Sequence, residues 1–313
     1  MARVGNIFTF VPLFLKSMEE QQQMMEPVNS AGVRATFCNE RYGDHEKNTF
    51  DIWLADSEEP TPLVIFIHGG GFIGGDKSRY YDSEDWPRFL KAGVSVATIN
   101  YRYLNEPPYG ILGSMSDSKR CLQYIRHHAE KYNIDKNRIA CSGGSAGAGT
   151  CLWLAFSEDM ADPQNADPVL RESTRIVCAG AFATQATYDI LQWSGILGLP
   201  EMESPQDLLV IARAFGFKSP EGMDLYKQTA IRQDLDFLGK MDQKAPPFFV
   251  LNKAEGGIPR SEDELNHHPL HAKALKNKAD KLGLEAVIYA PAIGIEDESG
   301  IGMVEFFLEK LKV

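Results

Sequence analysis

Two glycine-rich runs carry residue types suited to acyl chemistry. At Gly143-Gly144-Ser145-Ala146-Gly147 the chain reads G-x-S-x-G, directly after a short strand-like run, Arg138–Cys141, and directly before an apolar helical stretch, Ala148–Phe156. So sharp a strand-to-helix reversal needs flanking residues without bulky side chains. Gly143 and Gly147 supply them, and the turn lifts the Ser145 hydroxyl above the sheet. It also sets Ser145 at a helix amino terminus, where the Ala146 amide points at an oxyanion formed on attack. Upstream, His68-Gly69-Gly70-Gly71-Phe72 follows the apolar run Leu63–Ile67. Three consecutive glycines expose backbone N–H groups with no side chain in the way, an arrangement that stabilises developing negative charge on oxygen. Neither run matches the phosphate-binding patterns G-x-x-x-x-G-K-[ST] or G-x-G-x-x-G in a strand–helix context.

A serine hydroxyl is a poor nucleophile until a base accepts its proton. Of seven histidines only His267, His268 and His271 follow Ser145. His267-His268-Pro269 closes the loop after the apolar run Phe248–Asn252, and either imidazole can serve, because triads are defined by geometry and not by position in the chain. The orienting carboxylate has several candidates: Glu255 or Asp263 in the same loop, Glu296 or Asp297 near the carboxyl end, and Asp189. His271, one turn into the next helix, is expected to face solvent, and His68 to hold its own loop. His127 and His128 are adjacent, so on a helix they point apart and do not share a metal; no metal site is expected.

The elements around these residues alternate. Ala35–Glu40 and Thr49–Leu54 read as an antiparallel hairpin at a sheet edge. Leu63–Ile67, Val94–Asn100, Arg138–Cys141, Ile176–Ala183, Phe248–Asn252 and Ala286–Ala290 read as buried strands, with helices over Glu84–Lys91, Ser114–Tyr132, Ala148–Phe156, Pro269–Leu282 and Met303–Leu311 between or after them. Apolar strands joined through helices make a mostly parallel α/β sheet of about eight strands, covered by helices on both faces, with ligands at the carboxyl ends of the strands. The expected organisation is a single domain over 1–313. Residues 187–245, with helical patches at Gln206–Phe215 and Asp224–Leu238, are too long for a plain crossover and are expected to form a helical cap over the site.

Composition narrows the partners. The 313 residues hold 32 Lys+Arg against 43 Asp+Glu, a net charge of −11, which disfavours nucleic acid or an anionic membrane. Five scattered cysteines without a C-x-x-C pair point to reduced thiols and a cytoplasmic setting. The apolar run Ile7–Leu15 is shorter than the roughly 20 residues of a membrane span, is interrupted by Pro12 and precedes no small-residue cleavage site. It is expected to belong to an amino-terminal arm over about 1–30 that packs on the body or over the site mouth.

His68-Gly69-Gly70-Gly71-Phe72, then Asn100-Tyr101-Arg102-Tyr103, Asp117 leading into a helix, Asp135 with Arg138, and Gly143-Gly144-Ser145-Ala146-Gly147-Ala148 together resemble the α/β-hydrolase superfamily. The branch they resemble is the esterase/lipase group that includes the hormone-sensitive-lipase-like carboxylesterases. Motifs cover about residues 35–185, and element order the rest. The resemblance implies a serine esterase with Ser145 as nucleophile, Gly70, Gly71 and Ala146 as oxyanion donors, a small-molecule ester as substrate and no cofactor. It also implies an acid after the strand Phe248–Asn252, where Glu255 stands, and a histidine in the loop 291–300, which has none. The departure leaves two expectations: a carboxylesterase whose base comes from His267-His268, or a hydrolase fold without turnover that serves a binding or structural role.

Overall fold

The computed structural model describes residues 27–200, 205–223 and 225–313. Its strands are Phe37–Arg41 (β1), Thr49–Trp53 (β2), Thr61–Ile67 (β3), Ser95–Ile99 (β4), Ile134–Gly144 (β5), Ala179–Phe182 (β6), Phe248–Leu251 (β7) and Ala286–Tyr289 (β8). They form one eight-stranded sheet in the order β1-β2-β4-β3-β5-β6-β7-β8. From β4 to β8 all pairs are parallel, and only the β1–β2 and β2–β4 pairs run antiparallel. The carboxyl ends of six strands therefore meet along one edge of the sheet.

Strand periodicity builds a core on each face. In β3, Leu63, Ile65 and Ile67 enter one core, while Val64 and Phe66 enter the other. The helices are Asp85–Lys91 (α1), Ile111–His127 (α2), Ala146–Phe156 (α3), Trp193–Leu197 (α4), Pro205–Ala214 (α5), Leu225–Leu235 (α6), Phe237–Lys240 (α7), Glu262–Asn266 (α8), Leu270–Leu282 (α9) and Met303–Leu311 (α10). The first core takes Leu122 of α2, Leu152 of α3 and Leu275 of α9; the second takes Trp86 of α1 and Phe307 of α10. No described helix is long and apolar enough to cross a membrane.

Several boundaries differ from the sequence reading. Strand β5 starts at Ile134, four residues early, because a register irregularity opposite Thr61 and Leu63 lets the pairing with β3 continue past the turn. Helix α2 ends at His127, short of Tyr132, and starts three residues before Ser114. The single helical patch expected over 224–238 is two helices, broken where the Asp236 carboxylate accepts from the Gly239 amide and starts α7. Between β6 and β7, Ile211, Phe215, Leu235 and Phe237 are buried in the first core, so this long segment packs onto the body. Of the amino-terminal arm, residues 1–26 lie outside the described residues.

Candidate active site

Ser145 stands between β5 and α3 with φ 51° and ψ −117°, a strained positive-φ conformation that a non-glycine residue holds only when its surroundings impose it. Its amide donates to Phe182 O at 2.8 Å, and the Gly144 amide donates to the Tyr80 hydroxyl at 3.0 Å. Close approach explains the flanking glycine: a Cβ on Gly147 would lie 1.9 Å from Ile67 O. Helix α3 begins directly after Ser145, so its first amides have no partner within the helix, and Ala146, the first of them, lines the same cavity as Ser145.

The 68–75 loop lies beside this turn. Gly70 has φ 112°, and a Cβ there would meet Gly74 O at 2.2 Å, so the loop closes only around glycine. The end of β4 holds it in place. Asn100 donates to the Asp76 carboxylate at 2.8 Å, the Tyr101 hydroxyl donates to His68 O at 2.7 Å, and the Tyr103 hydroxyl donates to Gly75 O at 2.7 Å. Arg102 between them makes two bonds of 2.8 Å to the buried Asp117 carboxylate. The Asn100–Tyr103 motif thus acts as a bracket for the glycine loop. His68 is fully buried, stacks on Tyr101 at 4.2 Å and bonds Gly69 O through Nδ1. Burial pushes its pKa down to about 4, which keeps it neutral.

The histidine that reaches the serine is His267, whose Nε2 lies 2.8 Å from Ser145 Oγ. Its Nδ1 lies 3.0 Å from Asp263 Oδ1, one helical turn earlier. Asp263 is in place because Ser261 caps α8, accepting from the Glu264 amide at 3.1 Å, while the Glu264 carboxylate accepts from the Arg260 amide at 2.8 Å. The side chain of His267 is 21% exposed and that of Asp263 is 84% exposed, so the acid of this constellation stands in water.

The other sequence candidates go elsewhere. His268 does not reach Ser145: its Nδ1 accepts from the Leu270 amide at 3.2 Å, so its Nε2–H donates to Gly257 O at 2.8 Å. Glu255 is exposed, and the carboxylate beside His267 is that of Asp263. Asp189 is ion-paired with Arg232 at 2.9 Å, and Asp297 bonds the Ser299 amide in its own loop. His271 is buried and not solvent-facing, accepting from the Ala186 amide at Nδ1 and facing Leu265 O with Nε2, both at 3.3 Å. Burial also pushes its pKa down to about 4.

A cavity of about 650 Å3 opens above Ser145. Gly71 and Ala146 line it beside the serine, Phe72, Tyr188 and Trp193 give it an aromatic wall, and Val210 and Arg213 of α5 form part of its far side. Tyr188 is tied to the turn by its hydroxyl, which donates to Ala146 O at 2.7 Å.

Sheet order, the turn at Ser145 and the glycine loop beside it define an α/β-hydrolase of the esterase/lipase type. The chain belongs to the BD-FAE family, whose model matches residues 50–254. It is 24% identical over 273 residues to an acetyl esterase of Salmonella paratyphi A, an alignment spanning 82% of this chain and 75% of that one. Over 136 residues it is 29% identical to an Arabidopsis thaliana protein named as a probable isoprenylcysteine alpha-carbonyl methylesterase, covering 43% of this chain but only 28% of that relative. Among solved structures, a truncated carbohydrate esterase from gut microbiota superimposes with a TM-score of 0.66 at 18% identity, covering 88% of this chain and 96% of that one. Esterase B from Lactobacillus rhamnosis superimposes with a TM-score of 0.59 at 16% identity, covering 96% and 94%. At such identities the superpositions speak for the fold.

Proposed function

We propose that the protein is a serine carboxylesterase acting on small acyl esters, with Ser145 as nucleophile, His267 as base and Asp263 as orienting acid. The observation that carries this reading is the continuous path from Ser145 Oγ through His267, 2.8 Å and then 3.0 Å, to Asp263. Ser145 Oγ attacks the ester carbonyl as its proton passes to His267 Nε2. Negative charge on the carbonyl oxygen is met by the amides of Gly70, Gly71 and Ala146. His267 returns the proton to the departing alcohol, leaving an acyl-serine, and a water activated by the same imidazole then releases the acid. Asp263 accepts from Nδ1–H and so leaves Nε2 free as the acceptor. The segment 187–245 serves as the cap, contributing Tyr188, Trp193 and Val210 to the cavity wall. A relative named as an acetyl esterase supports a small acyl group.

The test is hydrolysis of p-nitrophenyl acetate together with covalent labelling by a fluorophosphonate, followed by intact mass. Ser145→Ala and His267→Ala are expected to abolish turnover, whereas His268→Leu keeps the serine labelled. Full activity in Ser145→Ala would overturn the assignment. Labelling without turnover in the unsubstituted protein would instead favour a binding role.

A further inference from the structure

We propose that Gln185, Asn252 and His271 form a buried clamp that positions His267 against Ser145; this rests on the reading of His267 as the base. The base sits at the end of a five-residue helix, too short to hold its own shape in water. The last carbonyls of a helix have no intrahelical partner. Here three successive ones are taken up by side chains from three different elements. Leu265 O accepts from His271 Nε2 of α9 at 3.3 Å, Asn266 O from Gln185 Nε2 after β6 at 2.8 Å, and His267 O from Asn252 Nδ2 at the end of β7 at 3.0 Å.

All three donors are buried, with Gln185 4% exposed and Asn252 and His271 fully enclosed. Two of them are fixed in turn. Asn252 Oδ1 accepts from the Ala254 amide at 2.9 Å, and the His271 ring meets the edge of Trp193 at 5.2 Å. Because Ala186 N–H donates to His271 Nδ1, neighbouring residues 185 and 186 both tie the β6 loop to the histidine segment. With the peptide planes before and after His267 held, only its two side-chain torsions remain, and Ser145 and Asp263 bond its two nitrogens. An acid that is 84% exposed orients an imidazole weakly, so the backbone clamp has to supply the alignment. Gln185 also keeps its Oε1 buried without a partner among the described residues, a stability cost that its single useful donor offsets.

Gln185→Met separates positioning from stability, since it removes the donor and the orphaned acceptor together at nearly equal volume. Rates are expressed per site titrated with fluorophosphonate, so that misfolded protein does not count. With p-nitrophenyl acetate, Gln185→Met and, independently, Asn252→Leu are expected to lower kcat about 10- to 100-fold with KM within about twofold, the loss that a misplacement of about 1 Å produces. The melting temperature of Gln185→Met is expected to be unchanged. If both variants keep kcat per site within twofold while Ser145→Ala and His267→Ala are inactive, the clamp is refuted and the catalytic reading stands. If His267→Ala retains turnover, both fail.

Discussion

Replacing Asp263 with asparagine removes one charge from the constellation and leaves its shape. In the structure the carboxylate lies 3.0 Å from His267 Nδ1 with its side chain 84% exposed. At that separation in a water-like dielectric, a charge pair contributes about 1.4 kcal/mol, a factor of about ten in rate if it acts fully on the imidazolium formed in the transition state. Loss of the charged acceptor's stronger hydrogen bond adds up to about as much again. An enclosed triad acid replaced by asparagine costs about 10⁴-fold, because the amide locks the wrong imidazole tautomer. On an exposed first turn the new amide can swing into solvent and water can take its place. Asp263→Asn is therefore expected to lower kcat/KM for p-nitrophenyl acetate by about 10- to 100-fold. The gap from the unsubstituted enzyme should narrow toward 1 M salt, where the screening length is about 3 Å. A loss under about threefold would show that Asp263 takes no part, and a salt-independent loss near 10⁴-fold would show that it is not solvated during the reaction; either result would refute the argument from exposure.

Acid sensitivity follows from the two buried histidines. His68 and His271 are both pushed down to about 4 by burial, whereas an unfolded chain protonates histidine near pH 6.5. Stability is therefore complete above about pH 6.5 and is lost as pH falls toward 4, by about 2 kcal/mol per histidine at pH 5. Guanidinium unfolding at pH 7 and pH 5 measures this, and equal midpoints would contradict it. Gly147→Ala would bring a methyl within 1.9 Å of Ile67 O and is expected to cost about 4 kcal/mol or more, read as lost soluble yield and lost fluorophosphonate labelling. Gly195→Ala in α4 has open space around its Cβ and should instead raise the melting temperature slightly.

How far each feature was legible in the amino-acid sequence tracks how local its physical cause is. The strand–glycine–serine–glycine–helix reversal could be read directly because positive φ and close backbone approach are demands on the residues themselves. The same holds for the glycine loop after β3 and for the apolar strands buried on both faces. The sequence holds one further signal: Ser261 ahead of Glu262-Asp263-Glu264 marks a helix start, which stacks residue 263 over residue 267 and singles out Asp263 instead of Glu255.

The choice between His267 and His268 had no such signature. Adjacent residues near a helix end point about 100° apart, and which one faces Ser145 depends on how α8 is rotated and docked. Contacts from Gln185, Asn252 and His271, which lie 81, 15 and 6 residues from their partners, hold it in that orientation. The same contacts bury His271, which helical position alone leaves facing water. Local backbone demands thus set the turn at Ser145 and the glycine loop beside it in the chain itself, whereas the partner of Ser145 was decided by long-range packing, because an imidazole's direction is a property of the surface it rests on.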